Sequence, residues 1–184
     1  MVAIKHRKTN FTVAVDPGTH CTGVAIFNGY QFDDSFSIRN PHKTNDGDLR
    51  AFNIISILEE KISGFMRCPG CDKYHATLAY ENPQYFKGKG GGRPIEAVIR
   101  MAAMLNFWGM ANFDRVYRHS VSTVKAGIAG SAHANKVEVE RIMVDMFDLK
   151  EINRTDHEYD AMSVGVYQLN HEDPNCFGVA LPSS

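Results

Sequence analysis

Two acidic residues stand where β-strands would run out. Asp16 closes the apolar run Phe11–Val15 and precedes Pro17-Gly18; Glu81 closes Ala76–Tyr80 and precedes Asn82-Pro83. If the two strands are parallel neighbours, both carboxylates share one sheet edge, where like charges need a proton or a cation between them. Hard oxygen ligands of this kind suit Mg2+ or Mn2+. A third acidic cluster lies at Asp156-His157-Glu158-Tyr159-Asp160. His157 and Asp160 are three apart and Asp156 and Asp160 four apart, so either pair shares a helix face. With Ala161, Val164 and Leu169 turned toward a sheet, Asp160 falls at the edge of the buried stripe and is the stronger candidate. Asp156 and His157 compete for a fourth position, and Asp156 could instead only cap the helix. Glu158 and Tyr159 are expected to point to solvent. Cations about 3.5–4 Å apart on shared carboxylates can activate a water and stabilise a leaving oxygen, so hydrolysis of a phosphodiester is within reach.

Cys68-Pro69-Gly70-Cys71 with His75 four residues on supplies three ligands in a tight turn. These could hold Zn2+ if His42, Cys176 or a residue of a partner chain completes the set. The glycine-rich run Lys87–Pro94 lacks the Gly-Lys-Ser/Thr that opens a helix in a phosphate-binding loop of the Walker type. Cys21 has no basic partner nearby in sequence, so a nucleophilic role is not expected.

The elements that must position these groups follow from periodicity. Phe11–Asp16, Thr22–Phe27 and Tyr30–Ile38 read as three antiparallel strands, with Asn28-Gly29 as a turn. Asp46–Ser63 carries Leu49, Phe52, Ile55, Leu58 and Ile62 at helical spacing. Ala76–Glu81 and Arg115–His119 read as the fourth and fifth strands; Ile95–Ala111, Ala134–Phe147 and Asp156–Leu169 read as helices. The order predicts a single α/β domain, one mixed five-stranded sheet flanked by helices. Residues 1–10 would be a basic arm, 11–170 the folded domain with a Cys-x2-Cys turn inserted at 66–75, and 171–184 a tail.

The chain has 184 residues, of which 43% are hydrophobic and 22% charged, with a net charge of −1. That is ordinary globular usage and excludes a disordered, collagenous or disulfide-scaffold protein. No apolar stretch reaches the ~20 residues of a membrane span. No targeting signal is visible, which points to the cytoplasm and reduced thiols. Between Lys87 and Arg141 nine basic residues face four acidic ones, so a local excess of five hides in a near-neutral chain. Such a segment is the footprint expected for a polyanion. The helix Ile95–Ala111 has Met101, Met104, Phe107, Trp108 and Met110 spread around it, as expected of a helix covered on both sides, the second by a twin protomer.

The run Asp16-Pro17-Gly18-Thr19 resembles the first catalytic motif of the RuvC family of Holliday-junction resolvases. Ala79-Tyr80-Glu81 resembles the strand ending in that family's catalytic Glu. Ser122–Val137 resembles its Val-Lys, Gly-Ser and Lys segment, and His157–Asp160 followed by Ala161 its closing motif. The resemblance implies an RNase H-like fold and a homodimeric, Mg2+-dependent endonuclease that resolves four-way DNA junctions by paired nicks, metal-activated water being the nucleophile. Carried over residue by residue, the catalytic and metal-binding groups would be Asp16, Glu81, Asp160 and, as fourth ligand, His157. Lys125 and Lys136 would contact DNA, Tyr85 or Phe86 would stack at the crossover, and the helix 95–111 would form the dimer. Lys87, Lys89, Arg93 and Arg141 complete the expected phosphate contacts. The alternatives are a related nuclease for flaps, forks or structured RNA, and a protein that binds branched DNA without cutting it. A nucleotide-binding protein of the actin type shares the Asp-Pro-Gly-Thr run but needs a second, similar half, for which this chain has no room.

Overall fold

The computed structural model describes residues 11–41, 44, 46–66, 74–83, 92–149, 154–174 and 176–177. The β-branched and apolar runs at the start of the chain form β1 (Phe11–Asp16), β2 (Cys21–Asn28) and β3 (Gln31–Arg39). Gly29, at φ 62°, makes the tight turn between the last two. Helix α1 (Gly47–Met66) then crosses to β4 (Tyr74–Asn82), and α2 (Gly92–Asn112) to β5 (Phe113–Ser120). Three helices close the chain: α3 (Val121–Ala129), α4 (Lys136–Phe147) and α5 (Asp156–Glu172).

The sheet order is β3-β2-β1-β4-β5. β1 pairs antiparallel with β2 and parallel with β4, and β4 pairs parallel with β5. The expected mixed sheet is therefore present, with the two acid-bearing strands as parallel neighbours. Helix α3 was not among the expected elements. Ser120 caps its start by accepting from the Thr123 N–H, and Gly130, at φ 70°, ends it. With Gly127 inside it and only nine residues long, it offers little periodicity to read.

Side-chain alternation divides the core into two layers. Val13, Val15, Leu78 and Tyr80 face one way and pack with Ile54, Leu58, Ile62, Met101 and Leu105 of α1 and α2. Ala14 and Ala79 face the other way, toward Val124, Met143, Ala161, Val164 and Leu169 of α3, α4 and α5. Helix α5 is buried from Glu158 to Asn170 except at Asp160, which stays partly exposed. The small alanines of β1 and β4 let it lie close on the sheet. Helix α2 is not covered all round: its inner face is buried, but Phe107 is 73% and Met110 60% exposed. No helix among the described residues is long and apolar enough to cross a membrane.

Candidate active site

The period of two that turns Ala14 and Ala79 toward α5 also turns Asp16 and Glu81 that way. The parallel register ends at Val15↔Tyr80, so each acid stands one residue beyond it, at the same edge. The turn after Asp16 is clamped by Thr22, whose hydroxyl accepts from the Gly18 N–H at 3.1 Å and donates to the Gly18 carbonyl at 2.6 Å.

Gly23 lies opposite Asp16 in the β1–β2 ladder. The first turn of α5 rests on it so closely that a Cβ there would overlap the His157 carbonyl. This approach sets His157 Nδ1 2.6 Å from Asp16 Oδ2. That hydrogen bond, helped by the Asp16 charge and opposed by burial, raises the imidazole above its ordinary range. Burial first, then the charges of Asp16 and Asp160, push Glu81 up to about 8; Lys125 and Lys136 pull it back. Asp160 rises to about 6, again through burial and then Asp16. Three carboxyls and one imidazole thus share a partly buried edge, in mutual electrostatic reach.

The two lysines hold fixed places beside them. Lys125 Nζ donates to the Ala134 carbonyl at 2.9 Å, while Lys136 Nζ lies 3.4 Å from Asp156 and 4.0 Å from Asp160. Asp156 is exposed, paired with Lys136 and turned out from the cluster, and the helix is capped not by it but by Thr155. Arg141 stands exposed on α4, five residues past Lys136.

Two expectations are corrected here. Glu158 and Tyr159 are not solvent groups; each is 7% exposed. Glu158 accepts from the Thr155 N–H in a capping box, from Ser37 Oγ at 3.0 Å and from Ser35 Oγ at 3.3 Å. It thereby ties the first turn of α5 to β3 and fixes the stretch that carries His157 and Asp160. The sequence held a signal for this, the Thr-x-x-Glu pattern of a capping box at Thr155–Glu158. Among the remaining candidates, His75 opens β4 with Nδ1 3.3 Å from Asp114. Cys68, Cys71, Tyr85, Phe86, Lys87, Lys89 and the side chain of Arg93 lie outside the described residues.

Hard oxygens with one imidazole are a fitting donor set for Mg2+ or Mn2+. The elevated carboxyls mark a place where a cation is electrostatically wanted. Among the described residues no three such side chains are drawn together tightly enough to count as a formed ligand group.

The sheet order, its mixed pairing and the helices on both faces define an RNase H-like fold. Within that class the similarity is to RuvC. A crossover junction endodeoxyribonuclease RuvC of Halothermothrix orenii is 25% identical over 170 residues, covering 87% of this chain and 95% of the relative. The structure of Thermus thermophilus RuvC matches with a TM-score of 0.61 at 18% identity, over 94% of this chain and 99% of that one. The T. thermophilus RuvC in complex with Holliday junction substrate matches at 0.62 and 15% identity, over 89% and 95%. No family model matches the chain.

Proposed function

We propose that the protein is a divalent-metal-dependent endonuclease that resolves four-way DNA junctions, working as a homodimer in the cytoplasm. One observation carries the reading: Asp16, Glu81 and Asp160 lie in mutual electrostatic reach beside the start of α5, with Glu81 and Asp160 raised by burial first and by neighbouring acid charge second. The similarity to RuvC proteins over most of the chain supports the junction as substrate.

Asp16, Glu81, His157 and Asp160 would hold the cation, Mg2+ with Mn2+ as a substitute. A divalent ion held there would lower the pKa of an attacking water and offset charge on the leaving oxygen. In the hydrolysis the water oxygen bonds to phosphorus, one P–O bond to deoxyribose breaks, and the proton given up by the water ends on the freed deoxyribose oxygen, leaving a nick. Glu81 keeps its carboxyl proton near neutral pH while the site lacks a cation and would release it on binding one. The Asp16–His157 hydrogen bond keeps the imidazole aimed at the edge. Lys125 and Lys136, on the α3–α4 side, bring positive charge beside the acids to meet a phosphate. Lys87, Lys89, Arg93 and Arg141 would extend that contact, and Tyr85 or Phe86 would stack on a base at the branch point, worth about 1–3 kcal/mol. The open face of α2, with Ile99, Phe107 and Met110, is where a second copy would pack.

Cys68, Cys71 and His75, completed by His42, Cys176 or a residue of a partner chain, would hold a separate, structural Zn2+. Support comes from Asp114 behind the His75 ring, because a carboxylate commonly orients a ligating imidazole.

Cleavage of a labelled four-way junction in Mg2+, beside a fork and a linear duplex, tests the function. Paired, symmetric, ligatable nicks in the junction, lost in Asp160→Asn, are expected. Cutting of the fork with an inert junction would replace the substrate, and binding without any cutting would overturn the enzyme.

A further inference from the structure

A second cleft opens on the other side of His157. Its walls are the β1–β2 turn at Gly18–Cys21, Gly47 and Arg50 in the first turn of α1, and Glu96–Arg100 of α2. Its volume is about 600 Å3, within the range of roughly 300–1,000 Å3 typical of ligand clefts. Because His157 forms part of its lining, the cleft adjoins the acidic edge, and neither Lys125 nor Lys136 lines it.

Its charges are unequally matched. Arg100 is held by Asp48 at 3.3 Å and by Glu96 at 3.8 Å. Arg50 has no carboxylate partner among the described residues. Its Nη1 donates to the Thr44 carbonyl at 3.1 Å, and its Nε, buried from solvent, has no hydrogen-bond partner among the described residues. Arg50 is held in place from behind, since its carbonyl accepts from Asn40 Nδ2 at 3.1 Å, and the Asn40 N–H donates to the His20 carbonyl at 3.1 Å. The fold therefore builds a fixed, uncompensated cation into a cleft that leads to the acids. His20, exposed on the turn, adds a second donor at the rim.

We propose that this cleft seats the phosphodiester backbone of the DNA strand as it leaves the acidic edge, with Arg50 as its principal phosphate ligand and Glu96 as a brake on affinity. The inference rests on the nuclease reading and adds to it a second cationic wall. Lys125 and Lys136 flank the acids on one side and Arg50 on the other, so the strand is held across the cut site. Arg50 lies outside the basic stretch 87–141, which is why charge counting along the sequence passes over it.

The test measures binding of labelled four-way junction, fork and duplex in Ca2+ across a salt series, with junction cleavage in Mg2+ run in parallel. One lost phosphate contact lowers the salt slope by about 0.9, and Arg50→Gln is expected to show that loss with roughly tenfold weaker binding. Arg50→Lys keeps the charge and is expected to keep the slope. Glu96→Gln removes a repulsive charge and is expected to tighten binding about two- to threefold, a gain that a damaged fold would not produce. An unchanged slope in Arg50→Gln together with no gain in Glu96→Gln would overturn the cleft's role. If the wild type binds DNA but leaves the junction uncut, the nuclease reading fails while the same slopes still decide the cleft. A wild type that binds no DNA overturns both.

Discussion

Glu81 should weaken the very fold that depends on it for activity. An acid whose folded pKa is raised holds its proton when folded and loses it when unfolded. Folding therefore becomes less favourable as pH rises through the unfolded value, until the folded form also ionises. For Glu81 that window runs from 4.5 to about 8. At about 1.4 kcal/mol per unit the full shift has a ceiling near 5 kcal/mol, and water reaching the site brings it to roughly 2–4 kcal/mol. Replacement by Gln removes the ionisation and keeps the shape. In EDTA at pH 8, Glu81→Gln should be more stable than the wild type by that amount, a rise in Tm of about 5–15 °C for a chain of this length. At pH 4.5 the two should unfold within about 1 kcal/mol of each other. Thermal and denaturant unfolding at both pH values give the comparison. Added Mg2+ should then raise the wild type and leave the variant nearly unmoved, because only a state that binds ligand is stabilised by it. A variant equal to or weaker than the wild type at pH 8 would refute the argument, since Glu81 would then be gaining more from its neighbours than it loses to them.

Three further outcomes follow from the geometry. Gly23→Ala puts a Cβ into the His157 backbone, so stability should fall by roughly 1–3 kcal/mol; the Mg2+ concentration for half-maximal cleavage should rise with it, and normal metal dependence would show that α5 can shift without cost to the site. Phe107→Glu places a charge on the exposed face of α2, so if that face forms the proposed dimer, sedimentation should show the variant as a monomer beside a dimeric wild type, with its circular dichroism spectrum unchanged. Zinc measured after chelator-free purification should approach one equivalent per chain and fall in Cys68→Ser; below about one tenth of an equivalent, the Cys68, Cys71 and His75 site is absent.

The strands and four of the five helices were legible either as short β-branched, apolar runs ended by turn residues, as in β1 and β2, or from apolar residues at helical spacing, as in α1. Asp16 and Glu81 could be picked out because two strands end in carboxylates before Pro-containing turns and a third acidic cluster follows; either acid alone reads as an ordinary turn or surface group. Asp160 was legible from its position at the edge of the α5 stripe. What remained hidden depends on contacts between distant segments. The hydrogen bond from His157 to Asp16 depends on how α5 settles on Gly23, a glycine that looks unremarkable inside a strand. The burial of Glu158 depends on two serines of β3 more than 120 positions away. The outer face of α2 reads the same in sequence as its inner face, because both are apolar; only the position of the sheet tells them apart.

The Asp16–His157 pair joins residues 141 positions apart, and this has a consequence for the protein during its own synthesis. At roughly 5–20 residues per second, the ribosome delivers the last acid-bearing helix about 10–30 s after the first strand. Until α5 has emerged and closed over Gly23, β1 and β4 carry two repelling carboxylates with no imidazole and no third acid between the same walls. On the proposed site, a nascent or C-terminally truncated chain lacking α5 would hold only two of the four ligands and would be inert until synthesis is complete.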